Sequence, residues 1–177
     1  MLKGFTLLEV LIVILLLSLS VSIAIPSWKS LEEKQMLQQE QKRLLLFIKH
    51  IQARVENSHQ IWHLVVNHSS NNHVWCIVAH IKKDNMVCDC LKPNTCSQEL
   101  YPHFYHPLFP KQVKFVGKKY YPQIAAKLGG IRRTTENNCF SLVSQHEQAV
   151  LSFSKMGNIS IKDQKSHSAC FNSGVSL

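Results

Sequence analysis

MLKGFTLLEVLIVILLLSLSVSIAIP, residues 1–26, is the stretch from which the rest of the chain has to be read. Phe5 to Ile25 forms an apolar run of about 21 residues. As a helix rising 1.5 Å per residue it covers about 31 Å, close to one bilayer core. A secretory signal peptide has a shorter apolar core followed by a small-residue cleavage site. Here the run is longer and no such site follows it. Lys3 and the α-amino group precede the run, which predicts a cytoplasmic N-terminus and an exported remainder. Glu9 interrupts the run near its start. A carboxylate in hydrocarbon costs several kcal/mol unless it is paired, so Glu9 is a functional candidate. The plainer alternative is a protonated or snorkelling acid near the interface.

Lys3-Gly4-Phe5-Thr6-Leu7-Leu8-Glu9 resembles the processing motif of type IV prepilins and of type II secretion pseudopilins. The resemblance implies that a prepilin peptidase cuts between Gly4 and Phe5, and that the new N-terminal Phe5 is N-methylated. It also implies that Glu9 aligns subunits during assembly, its carboxylate facing the amine of an incoming neighbour, and that Pro26 kinks the helix. The chemistry agrees: glycine admits a close approach to its backbone, and a partly desolvated carboxylate–amine pair sets register more than it adds stability. Residues 1–4 are then a leader, and the expected partners are other pilins in a filament, the peptidase, the inner membrane and the assembly platform. The protein is expected to be a single-pass inner-membrane precursor with a periplasmic head, and part of a pilus or pseudopilus afterwards.

After Pro26 the composition changes. Ser27 to Asn57 contains no Gly or Pro and is rich in strong helix formers. Leu37, Leu44, Ile48, Ile51 and Val55 recur at steps of three, four or seven, which predicts one apolar stripe. Glu40, Lys34 and Arg43 are read as part of solvated faces. Residues 5–57 are thus expected to form one helix, near 80 Å long, its 5–25 half in membrane or filament core and its second half on a head formed by residues 58–177.

The head reads as β-rich. Candidate strands are Ile61–Val66, Val74–Ile81, Met86–Cys90, Val113–Val116, Cys139–Ser144, Ala149–Ser154 and Asn158–Ile161. Gly157 is placed to take positive φ in a turn. Tyr101 to Pro110 holds three prolines and is expected to be a surface loop; Ile124–Leu128 is a weak helical candidate. The stretch from Ala149 to Ile161, followed by Cys170, is similar to the C-terminal part of minor pilins of the GspH/FimT kind, except that Asn158 stands where an arginine is common. The resemblance implies an α+β, pilin-like fold: a long N-terminal helix on one or two antiparallel sheets.

Six cysteines in 177 residues point to an oxidising compartment. Adjacent strands favour Cys139 with Cys170, which leaves two bridges among Cys76, Cys88, Cys90 and Cys96. Cys88 and Cys90 are badly placed to pair with each other. A zinc site from Cys88, Cys90, Cys96 and a histidine is the alternative, although the spacing is not a clean zinc-ribbon pattern. The ten histidines are read mainly as solvated or packing residues. No metal and no cofactor is expected.

The net charge of +9 lies mostly in the head: residues 1–57 hold seven Lys/Arg against five Asp/Glu, residues 58–177 thirteen against six. Lys111, Lys114, Lys118, Lys119, Lys127, Arg132 and Arg133 fall in one stretch without an acid. Phe115, Tyr120 and Tyr121 interleave with them. Cations for phosphates and rings for bases suit DNA capture, and a cationic face for water or acidic subunits is the alternative. Without G-x-S-x-G, H-E-x-x-H or a phosphate loop, an enzyme is not expected. The expected function is a minor type IV pilin that assembles into, primes or caps a pilus linked to DNA uptake; a type II secretion pseudopilin is the alternative.

Overall fold

The structure is a computed structural model that describes residues 6–69, 74–129, 138–154 and 157–163, without the side chains of residues 23–27, 138 and 163. Its first element is one helix, α1 (Leu7–Ser58). Thr6 caps it from extended backbone at φ −77°, ψ 149°, and His59 ends it in the left-handed region. The helix has two different halves. Every described side chain from Leu7 to Ser22 is exposed although twelve of the sixteen are apolar. The serines in that run satisfy themselves: the hydroxyls of Ser18, Ser20 and Ser22 donate back to the carbonyls of Leu15, Leu16 and Ser18 at 2.8–2.9 Å, the local bonding that lets hydroxyls sit in an apolar helix. Among the described residues no helix is long and apolar enough to cross a membrane.

The second half is amphipathic as the periodicity predicts. Leu37, Leu44, Ile48, Ile51 and Val55 are all buried, and this stripe packs on β-strands of the head. Two contacts pin its flanks. Gln52 Nε2 donates to the Gly157 carbonyl at 2.8 Å, and the His146 ring lies 2.9 Å from the Glu33 carboxylate.

Among the described residues the head has two antiparallel sheets. The first, in the order β3-β2-β1-β5, comprises β1 (Ile61–Ser69), β2 (Val74–Ile81), β3 (His103–Tyr105) and β5 (Ala126–Gly129). The second, in the order β4-β6-β7-β8, comprises β4 (Lys114–Val116), β6 (Asn138–Val143), β7 (Gln148–Phe153) and β8 (Ile159–Asp163). Between β7 and β8, Gly157 takes φ 79°, the turn conformation expected of it.

The first sheet is covered on both faces, which is why burial runs unbroken along Trp62–Val66 of β1 and Trp75–His80 of β2. Trp62, Leu64, Val66, Trp75, Ile77 and Ala79 join the main core with α1 and the second sheet. The alternate residues Val65, Cys76 and Val78 meet Cys88, Cys90 and Leu100 in a second cluster. Trp75, Phe115, Phe140 and Phe153 form a chain of ring contacts at 5.1–5.4 Å across the main core, and the Trp75 indole N–H donates to the Val113 carbonyl.

Four expectations are corrected. Met86–Cys90 is not a strand but part of a loop that covers the first sheet; Cys88 and Cys90 are drawn into disulfides, not into ladder pairing. Ile124–Leu128 is not helical: Ala126–Gly129 pairs with β1, because its apolar residues alternate and Leu128 and Ala126 enter the core. Tyr101–Pro110 is not wholly loop. His103–Tyr105 forms edge strand β3, with Pro102 and Pro107 lying outside the three paired residues. Glu40 is not on a solvated face but fully buried.

Candidate functional site

The N-terminal end of α1 is built from a capping arrangement. Thr6 Oγ1 accepts from the Glu9 backbone N–H at 3.3 Å, and Glu9 lies in the first turn with its side chain exposed. An acid in the first turn also complements the positive end of the helix dipole. Thr6 was not singled out in the sequence, although the pattern Thr-x-x-Glu ahead of an apolar run is the signature of such a cap. Gly4 and Phe5 lie outside the described residues, as does the side chain of Pro26; α1 continues through position 26 without interruption.

The basic stretch does not form one patch of loop. Lys111 precedes β4, Lys114 lies on β4, Lys118 and Lys119 follow it, and Lys127 lies on β5 opposite His63. These five lysines are exposed, but only Lys114 and Lys127 lie on strands, one at an edge of each sheet. Arg132 and Arg133 lie outside the described residues. The interleaved aromatics are mostly committed elsewhere. Phe115 is buried in the core. The Tyr120 hydroxyl accepts from the Gly117 N–H at 3.0 Å and reaches the Phe115 carbonyl at 3.3 Å, while its ring packs on His68. Of the three, Tyr121 alone is exposed.

The cysteine loop is pinned by two bridges. Cys76 pairs with Cys90 and Cys88 with Cys96, at Cα separations of 5.9 and 5.2 Å. Asp89 between them accepts from Asn67 Nδ2 at 2.7 Å and from the Leu91 N–H at 2.9 Å. Cys139 is also disulfide-bonded; Cys170, its expected partner, lies outside the described residues. Among the described residues no cluster of His, Cys, Asp or Glu is arranged to hold a metal ion.

The least expected polar group is Glu40. Its carboxylate accepts from the Tyr105 hydroxyl and from the backbone N–H groups of Leu108 and Phe109, at 2.9 and 3.2 Å for the last two. The Arg43 guanidinium lies 5.8 Å from the Tyr105 ring centroid. Burial first, then the hydrogen bond and charge of Glu40, push the phenol far above its ordinary range. Glu40 thereby ties α1 to the proline-rich segment after β3. Its position beside the apolar stripe was the available signal. The histidines divide as well: His63 and His80 face each other across β1 and β2 and are buried, and burial lowers the His80 imidazole.

Residues 3–25 match the prokaryotic N-terminal methylation motif. The chain is 39% identical over 168 residues to a protein of Haemophilus influenzae (strain Rd) described as an uncharacterized protein; the match covers 95% of this chain and 98% of that one. No solved structure matches.

Proposed function

The chain belongs to one family with this Haemophilus influenzae protein and is type IV pilin-like by its methylation motif; from that premise we propose that it is a minor pilin that assembles into, primes or caps a filament. In this reading a prepilin peptidase cuts between Gly4 and Phe5, and Phe5 is methylated. Residues 5–25 sit in the inner membrane before assembly and in the filament core afterwards, with residues 58–177 as the periplasmic head.

One observation carries the reading. The stripe of α1 from Leu37 to Val55 is buried on the head, whereas the apolar surface from Leu7 to Val21 is exposed and packs against none of the described residues. So much contiguous exposed apolar surface calls for lipid or neighbouring helices. The single acid in it, Glu9, stands one turn from the proposed new N-terminus. Paired with the amine of a neighbour, it would fix axial register. Mass spectrometry of the protein from a host with the peptidase should find a chain beginning with methylated Phe5, and Glu9→Ala should fail to enter filaments. A chain that retains Met1, or an alanine variant incorporated as well as wild type, would overturn the proposal.

A link to DNA uptake rests on Lys111, Lys114, Lys118, Lys119 and Lys127, all exposed, with Arg132 and Arg133 further along the same stretch. Deletion should then impair transformation. Loss of protein secretion with transformation intact would instead favour a type II secretion pseudopilin.

A further inference from the structure

We propose that a groove between the last turns of α1 and the disulfide-pinned loop is a binding site for an oxyanion, a phosphate or carboxylate group carried on a small molecule. The groove holds about 510 Å³ and is lined by Arg54, Gln98, Glu99, Tyr101, Pro102 and His103. That exceeds a bare phosphate and falls in the range of small-molecule sites.

Arg54 is the anchor. Its Nε–H donates to His50 Nε2 at 3.0 Å, which orients the guanidinium and leaves its terminal NH₂ groups for a ligand. Among the described residues no carboxylate pairs with Arg54. A planar guanidinium with two donors on one edge matches an oxyanion bidentately. His103 is set beside it. Its ring stacks on Trp62 at 5.6 Å, the planes nearly parallel, and meets the His50 ring edge-on at 6.5 Å. Burial lowers the His103 imidazole, and the charge of Arg54 lowers it further. An anion between these groups would relieve that repulsion. The acid lining the groove, Glu99, is bound to Lys83 on the same loop, which offsets its charge.

The rim is fixed too. Tyr101 stands in the left-handed region at φ 47°, held by its N–H donating to the Gln98 carbonyl, and its ring is exposed. A tyrosine in that conformation is strained, and such strain recurs where ligands bind. The aromatic face is available to the body that carries the anion.

The test uses the full chain in detergent micelles, with inorganic phosphate and acetate as separate probes at matched ionic strength. The NMR signals of the His103 imidazole should shift saturably, and its pKa should rise on binding. The tighter probe identifies the ligand chemistry. Arg54→Gln should weaken binding about tenfold or more, and Glu99→Gln should tighten it. Arg54 is exposed, so its replacement leaves the core intact; His103→Asn gives a second, independent loss of affinity. No saturable shift with either anion, or unchanged affinity in Arg54→Gln, would overturn the proposal.

Discussion

The hydroxyl of Tyr105, at the end of β3, donates to the carboxylate of Glu40 on α1, and both residues are buried. Sixty-five positions separate them in sequence. A buried carboxylate is tolerated here because it accepts three hydrogen bonds, two of them from the backbone N–H groups of Leu108 and Phe109, which lie beyond the β3 ladder. Glu40→Ala would strand all three donors and should cost about 3 kcal/mol or more. Tyr105→Phe removes one charge-assisted bond and should cost about 1.5–3 kcal/mol. Urea unfolding of the full chain in detergent measures both; an alanine variant within experimental error of wild type would refute this account of the contact.

Peptide mapping without reductant should recover Cys76 joined to Cys90 and Cys88 joined to Cys96. Each bridge closes a short loop, so replacing either pair with alanines should lower stability by about 3 kcal/mol. Losing both should also uncover Val65, Val78 and Leu100, which the loop shields. A fragment linking Cys76 to Cys96 would contradict the pairing.

Acid should destabilise the head through His80. Burial holds its imidazole below the ordinary value of 6.5, against the smaller raising effect of its bond to the Ile81 carbonyl. The folded state then binds fewer protons than the unfolded chain on acidification. The stability contribution is complete above about pH 6.5 and is lost as pH falls from there through the folded value. His103 is shifted in the same direction. His80→Phe keeps the ring volume without the titration, so its unfolding midpoint should fall less than that of wild type between about pH 7.5 and pH 5.5. Equal slopes for the two proteins would exclude His80 as the cause.

If the head grips DNA through its lysines, the combined change Lys114→Glu, Lys118→Glu and Lys119→Glu should weaken a mobility shift strongly. It should also reduce the salt slope by about 0.9 per lost phosphate contact. Tyr121→Ala should have the larger effect among the aromatics, since Phe115 and Tyr120 are engaged within the fold. Binding unaffected by the charge reversals would remove these lysines from the function.

Local pattern made much of this molecule legible. The helix, its buried stripe and the strands near Ile61, Val74, Asn138, Gln148 and Ile159 follow from periodicity, because burial on one face leaves a repeat of 3.6 or 2 in the residues themselves. The misses share a cause. Edge strands β3 and β5 are three and four residues long; so short an alternation does not separate strand from helix turn, and pairing with β2 and β1 decides it. Met86–Cys90 has strand composition, yet its cysteines are held by other parts of the chain.

What the amino-acid order determined by itself is the rod and its chemistry: an apolar run with one acid, a cap at Thr6, and a second half with a single greasy side. These are properties of neighbours along the chain, within reach of one or two helical turns. Only the tertiary structure decided that Glu40 is interior, which cysteines meet, that Phe115 and Tyr120 turn inward, and that Arg54 and His103 share a groove. Each of those depends on contacts between residues far apart in sequence, and burial and hydrogen-bond partners are set by what the other strand or helix brings, not by the residue type alone.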